Sequence, residues 1–163
     1  KLSRIDVEEK PMPLSVDQVV RQAVANKAAF EPRPQLDERD TGLRVLADRE
    51  RLERVVGHLI QNAIEATPKD GSVTIALARE GEAVRIEITD TGEGMSEDFI
   101  RERLFKPFES TKSAGMGIGV FESREYINEL GGRLEVSSRP ALGTTFKVIL
   151  PLYQQDALLE RAA

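Results

Sequence analysis

Between Asp48 and Thr67 the apolar residues Leu52, Val55, Val56, Leu59, Ile60, Ala63 and Ile64 recur at three- and four-residue spacing. That period gathers them on one face of a helix, so the fold must offer this helix an apolar layer to pack on. Two pairs of strands can supply it. Val73–Ala78 and Ala83–Thr89 alternate apolar and polar residues around Glu80-Gly81-Glu82, which reads as a β-hairpin. Arg133–Ser137 and Thr144–Leu150 form a second hairpin, joined through Pro140 and Gly143. Strands with polar alternate faces make a sheet that is covered on one side only. The expected class is therefore α+β, a two-layer α/β sandwich with a mixed, mostly antiparallel sheet and its helices on one face.

The remaining segments fill in around that frame. Ile5 and Val7 alternate within the charged stretch Lys1–Lys10, which predicts a short strand, and Pro11 and Pro13 then break the chain. Ser15-Val16-Asp17-Gln18 is a capping box, and Val16, Val19, Val20, Ala23 and Val24 give the following helix one apolar face. Pro32 and Pro34 close it, and Leu36 and Leu43–Leu46 read as short extended segments. A glycine-rich region from Asp90 to Gly119 is interrupted by a helical piece near Glu97–Arg103. Phe121, Ile127 and Leu130 predict another helix, stopped by Gly131-Gly132. The tail from Tyr153 reads as a frayed helix or a disordered end.

Composition excludes several chemistries. A length of 163 residues fits one domain. A net charge of −5 and a lack of Trp leave no basic stripe and few rings for a nucleic-acid binder. Without cysteine there is no disulfide, thiolate metal site or cysteine nucleophile, and a single histidine, His58, excludes a multi-histidine zinc site. No apolar run approaches the roughly 20 residues that span a bilayer, and no signal-peptide pattern opens the chain, so a soluble domain is expected.

Four segments carry possible chemistry. Asp90-Thr91-Gly92-Glu93-Gly94-Met95 follows directly on a strand. A carboxylate there can accept from an exocyclic amine, and the glycines let backbone approach a flat ring; an ordinary turn explains the string as well. Gly115-Met116-Gly117-Ile118-Gly119 precedes a helix, where free amides suit phosphate oxygens, although alternating glycines also make hinges. No Gly-Lys-Ser/Thr follows, so it is not a Walker A loop. Asn62 stands between apolar positions of the long helix, where an unpaired amide costs about 1–3 kcal/mol. Its oxygen suits Mg²⁺ held together with phosphates; a bond to backbone at the layer edge would satisfy it equally. His58 lies one turn earlier on nearly the same face. Leu104-Phe105-Lys106-Pro107-Phe108 is either a loop anchored by two rings or a lid, and Lys112 is either a phosphate ligand or a solvated side chain.

Taken in order, these segments resemble the ATP-binding domain of bacterial sensor histidine kinases, within the superfamily that includes gyrase, Hsp90 and MutL. The N box resembles His58-Leu59-Ile60-Gln61-Asn62-Ala63, the G1 box Asp90 to Gly94, the F box Phe105-Lys106-Pro107-Phe108 and the G2 box Gly115 to Gly119. Gly143-Thr144-Thr145-Phe146 and Leu150-Pro151 match the end of the kinase domain, and the resemblance covers roughly Pro13 to Leu152. The run from Phe105 through Gly132 is most similar to the exosortase-associated (PEP-CTERM) sensor kinases.

The resemblance implies the Bergerat-type ATP-binding fold, with residues 1–12 a remnant of a preceding dimerisation helix or linker plus the first strand, 13–152 the catalytic domain and 153–163 a tail. It implies Mg²⁺ and ATP as cofactors and γ-phosphoryl donation to a histidine on a dimerisation domain of the parent. A response regulator then lies downstream, and no nucleic acid is involved. The fragment would be monomeric and its parent a homodimer anchored in the bacterial inner membrane, with this domain in the cytoplasm. Asp90 would read the adenine amine, Asn62 would hold Mg²⁺, and Lys112 with the Gly115–Gly119 amides would cradle the phosphates. Catalytic roles fall on Asn62, His58 and Lys112. Nucleotide contacts are carried over also to Gly92, Gly94, Met95, Phe105, Phe108 and Thr111. Met116, Gly117, Ile118 and Thr145 complete that set.

Two departures stand out. Histidine kinases usually carry Asn where His58 stands, and the superfamily's ATPases carry Glu there to activate water. Lacking that Glu, the chain is a poor candidate for gyrase-like hydrolysis or for an anti-sigma-type serine kinase. His58 is also on the wrong element to be the phosphoacceptor. A degenerate module that binds nucleotide without phosphotransfer is the remaining alternative.

Overall fold

The computed structural model describes residues 11–106 and 118–154. Strand β1 (Met12–Ser15) leads straight into helix α1 (Val16–Ala25), followed by β2 (Gln35–Glu38), β3 (Arg44–Ala47) and helix α2 (Arg49–Glu65). The hairpin β4 (Val73–Glu80) and β5 (Ala83–Asp90) comes next, then the turn α3 (Glu97–Phe99), which continues as the π-helical turn Ile100–Leu104. Helix α4 (Ile118–Glu129) and the hairpin β6 (Arg133–Arg139) and β7 (Gly143–Pro151) end the order.

The main sheet runs β2-β4-β5-β7-β6, and only the β2–β4 pair is parallel. Register explains why one face is covered. Val84, Ile86 and Ile88 of β5 stand opposite Leu150, Val148 and Phe146 of β7, and opposite Leu77 and Ile75 of β4 where that strand pairs. All are buried, and they join Leu52, Val56, Leu59 and Ile60 of α2 and Val120 and Ile127 of α4 in one core. The alternate positions carry Thr74, Arg85, Glu87, Thr89 and Lys147, with Arg85 paired to Glu87 at 3.0 Å. The two-layer sandwich with a one-sided, mostly antiparallel sheet is thus what the pattern required.

The helix ends follow the sequence signals. The Ser15 hydroxyl accepts the Gln18 amide at 3.2 Å, and the Asp48 carboxylate accepts that of Arg51 at 3.0 Å. At the end of α4, Gly131 takes φ +85°, and the Gly132 amide donates to the Ile127 carbonyl.

Two expectations are corrected. Pro13 does not break the chain: β1 runs through it and pairs antiparallel with β3, Pro13 facing Leu46. A two-stranded sheet has only edge strands, where proline's missing donor is tolerated. Tyr153 is not the start of a loose tail, because its amide donates to the Arg44 carbonyl at 2.7 Å and its ring lies under the Arg44 guanidinium. The strand expected within Lys1–Lys10 and the tail beyond residue 154 lie outside the described residues.

Candidate nucleotide-binding site

Asp90 is the last residue of β5, on the core face, and is 4% exposed. Its Oδ1 accepts the Gly92 amide at 2.8 Å and the Thr144 amide at 3.3 Å. Among the described residues Oδ2 accepts nothing, so one carboxylate oxygen fixes the loop and the other stays available to a ligand. Burial pushes the carboxyl above the usual aspartate range, against the pull of the two amide bonds.

The two glycines after Asp90 are required by close approach of the chain itself. A Cβ at Gly92 would lie 2.1 Å from the Ala66 carbonyl oxygen, and one at Gly94, at φ +71°, would lie 1.9 Å from that of Arg139. Both contacts are with main-chain atoms of distant segments. The Glu93 amide donates to the Ala66 carbonyl, and the Glu93 carbonyl accepts from Ala141. The loop is thereby sewn between the end of α2 and the β6–β7 turn. It walls a cavity of about 240 Å³, lined by Ala66, Glu93, Gly94, Met95, Ser96, Phe99 and Thr144. That lining is mostly apolar with few polar groups, which suits a flat heterocycle.

Strand alternation corrects one expected contact. Thr145 lies on the outer face of the sheet, where its hydroxyl meets that of Thr89 at 3.1 Å. Its neighbour Thr144 shares the face of Asp90, lines the cavity and hydrogen-bonds Ser138 through its hydroxyl at 2.7 Å. Ser138 also receives the Met95 amide at 2.8 Å. Neither Thr144 nor Ser138 is singled out by motif reading. A signal for the first was present, since Phe146 is plainly a core residue and Thr144 shares its parity.

From Ala66 at the cavity, α2 presents Asn62 and then His58 at successive turns, a run of about 12 Å along the axis. Asn62 is half-buried, and its side-chain amide has no hydrogen-bond partner among the described residues. An unpaired hard oxygen of this kind fits a role as ligand to Mg²⁺, whereas the described residues contain no cluster of acidic and histidine side chains that would hold a metal unaided. At the far end, a Cβ on Gly119 would sit 3.2 Å from His58 Nδ1, so the first turn of α4 lies directly on the imidazole. Phe105 packs against the core under the Arg124 guanidinium, 4.3 Å from the ring centroid. Phe108, Thr111, Lys112, Gly115, Met116 and Gly117 lie outside the described residues, as does the side chain of Ile118.

His58 is held below the usual histidine range, first by partial burial of its ring and then by the charges of Arg54 and Lys27, with Glu122 opposing. The folded chain therefore binds fewer protons at this site than the unfolded one as pH falls through the ordinary histidine range, and stability drops in that window. Urea unfolding from about pH 8 to about pH 5.5 is expected to show that loss. His58→Gln should remove the part of the slope due to this residue; an unchanged slope would contradict the assignment.

Comparisons with known proteins assign the chain to a family. Residues 47–154 match the family model described as histidine kinase-, DNA gyrase B-, and HSP90-like ATPase. Among curated proteins, the C4-dicarboxylate transport sensor protein DctB of Rhizobium meliloti (strain 1021) is 39% identical over 117 residues, covering 71% of this chain and 18% of its own length. Sensor histidine kinase ZraS of Escherichia coli (strain K12) is 33% identical over 113 residues, covering 69% and 24%. The chain thus spans about a fifth of such relatives. Among solved structures, the catalytic domain of histidine kinase ThkA superposes with a TM-score of 0.72 at 28% identity, covering 87% of this chain and 97% of that one. The chain therefore belongs to the histidine kinase-, DNA gyrase B- and HSP90-like ATPase family, as an ATP-binding domain of the histidine-kinase type.

Proposed function

We propose that this domain binds Mg-ATP and donates the γ-phosphoryl group to a histidine on a dimerisation domain of the same parent. In that step the bond between the β–γ bridging oxygen and the γ-phosphorus breaks, a P–N bond forms on the imidazole, and ADP leaves. The observation that carries the reading is the line Asp90–Ala66–Asn62–His58. Among the described residues Asp90 keeps one carboxylate oxygen without a partner and is bonded to Thr144, which lines the apolar slot, and an unpaired amide follows one turn along α2.

Asp90 Oδ2 accepts the adenine amine, which selects adenine over guanine because guanine offers a carbonyl there. Thr144 closes the slot beside it. Asn62 would hold Mg²⁺, whose contribution when bound is to neutralise phosphate charge. The amides of Gly115–Gly119 and Lys112 bind the phosphates, with Gly119 beside His58 marking that end. Phosphoryl transfer requires mainly positioning and charge neutralisation, which such a set supplies.

The finer assignments belong to the same proposal. Residues 13–152 form the catalytic domain, with Met12 paired to Ala47 at one edge and Tyr153 docked on Arg44 at the other. The parent is a homodimer anchored in the inner membrane and passes its phosphoryl group to a response regulator. The solved complex of ThkA with response regulator protein TrrA supports the last point by likeness, at 26% identity and a TM-score of 0.72. The run Phe105–Gly132 supports a place near the exosortase-associated (PEP-CTERM) sensor kinases.

The test is to incubate the full-length parent with γ-labelled ATP and Mg²⁺. Acid-labile label on a histidine is the expected result. A parent that binds ATP yet never labels would overturn the reading in favour of a nucleotide-responsive module.

A further inference from the structure

Asp90, Thr144 and Ser138 form a row across three strands on the core side of the sheet. Asp90 faces Thr144 in the β5–β7 register, and Thr144 faces Ser138 in the β6–β7 register. Thr144 lines the cavity proposed for adenine, whereas Ser138 stands one strand further out, on the edge strand β6, outside the lining.

The Ser138 hydroxyl is used to capacity. Its Oγ accepts the Met95 amide at 2.8 Å, donates to the Gly143 carbonyl at 3.0 Å and stands 2.7 Å from Thr144 Oγ1. A hydroxyl has one hydrogen and two acceptor lone pairs. The Gly143 carbonyl has no hydrogen to give, so the hydrogen of Ser138 is committed there. The 2.7 Å bond is then made with the hydrogen of Thr144. The reverse arrangement would leave the Ser138 and Gly143 oxygens 3.0 Å apart with no hydrogen between them. The Met95 amide fills the other lone pair, which keeps the Ser138 hydroxyl from turning round.

The consequence reaches the cavity. With its hydrogen directed to Ser138, the Thr144 hydroxyl has only lone pairs left for a ligand. Asp90 Oδ2 is likewise an acceptor without a partner among the described residues. The two side chains therefore offer acceptors and no donor. An exocyclic amine brings two hydrogens to such a pair, whereas a carbonyl sets lone pairs against lone pairs.

We propose that Ser138 is a positioning residue for base selection, holding the Thr144 hydroxyl as an acceptor towards the slot and so adding a second point of preference for a 6-amino purine over a 6-oxo purine. The inference rests on the adenine reading given above and deepens it. Ser138 acts through Thr144, not by touching the base.

The test is calorimetric titration of ADP and of inosine diphosphate, each with Mg²⁺, into this chain and its variants. Inosine diphosphate carries a carbonyl where ADP has the amine, and no further amino group. Ser138→Ala frees the Thr144 hydroxyl to turn and donate to that carbonyl. The ratio of ADP to inosine diphosphate affinity is expected to narrow by about three- to tenfold. Thr144→Val should narrow it by a similar factor, and adding Ser138→Ala to Thr144→Val should change it no further. Ser138→Cys fills the same space with a thiol, a weak hydrogen-bonding group, and should narrow the ratio even where the alanine variant does not fold. Ser137→Ala, next in the chain but on the outer face opposite Thr145, should leave both affinities at their wild-type values.

A fall in both affinities by one factor, with the ratio unchanged, overturns the proposal by reducing Ser138 to a clamp on Met95. Wild-type affinities in Ser138→Ala overturn it as well. So does a narrowing by Ser138→Ala that persists in the Thr144→Val background, because the effect would not pass through Thr144. If the wild-type chain binds neither nucleotide, or both equally, the adenine reading of Asp90 falls first and this one with it, a result distinct from the other three.

Discussion

Replacing Asp90 with asparagine is expected to weaken ADP binding by about 10- to 150-fold and to leave the fold intact. The division of labour between the two carboxylate oxygens is the reason. Oδ1 accepts the Gly92 and Thr144 amides, and the asparagine oxygen can keep both of those bonds. Its Nδ2 then stands where Oδ2 was, and a donor faces the adenine amine, itself a donor. A hydrogen bond to a charged group is worth about 1.5–3 kcal/mol, which sets the range given. Stability should not suffer. Burial holds the Asp90 carboxyl above its ordinary range, so the folded state binds this proton more tightly than the unfolded one. The charged form therefore weighs against folding at neutral pH, and a neutral amide removes that cost. Calorimetric titration of ADP into both forms, with thermal melts alongside, measures the two effects. An unchanged affinity would show that Asp90 closes the loop only, and the adenine assignment would fail.

The same residues show what sequence reading reaches. Helix α2, the two hairpins and the one-sided sheet were legible because burial imposes a period, and Leu52 to Ile64 or Val84 to Ile88 carry that period without interruption. Asp90 and Asn62 were legible because a carboxylate at a strand end and an amide in an apolar stripe both demand a partner. What was not legible depends on pairing between distant segments. β1 passes through Pro13 because β3, far along the chain, offers an edge that needs no donor there. Tyr153 is ordered by the Arg44 carbonyl, again a distant partner. The motif does not separate Thr145 from Thr144 because it gives residue types, whereas the side each one faces follows from register with β5. The close approach of Ala66 to Gly92 and of Arg139 to Gly94 is hidden in the same way, since only the fold brings them together.

Gly94→Ala is expected to destabilise the domain by about 2–5 kcal/mol and to lower its thermal midpoint by about 4–20 °C. Two costs combine. Gly94 takes φ +71°, a left-handed conformation that costs an alanine about 1–2 kcal/mol. The added Cβ would also lie 1.9 Å from the Arg139 carbonyl oxygen and 3.1 Å from Pro140 Cα, both parts of the main chain. No side-chain rotation relieves that overlap. Either the loop after Asp90 or the β6–β7 turn must shift, which costs about 1–3 kcal/mol for overpacking. Gly81 separates the two terms. It has a similar φ, +64°, in the β4–β5 turn, and a Cβ there meets nothing within 4 Å. Gly81→Ala should therefore incur the conformational cost alone. The loop also walls the cavity proposed for adenine, so Gly94→Ala is expected to lose ADP binding, which Gly81→Ala retains. Equal thermal midpoints for the two variants would show that the loop after Asp90 yields freely, and a cavity wall that yields freely could not hold an adenine ring against Asp90.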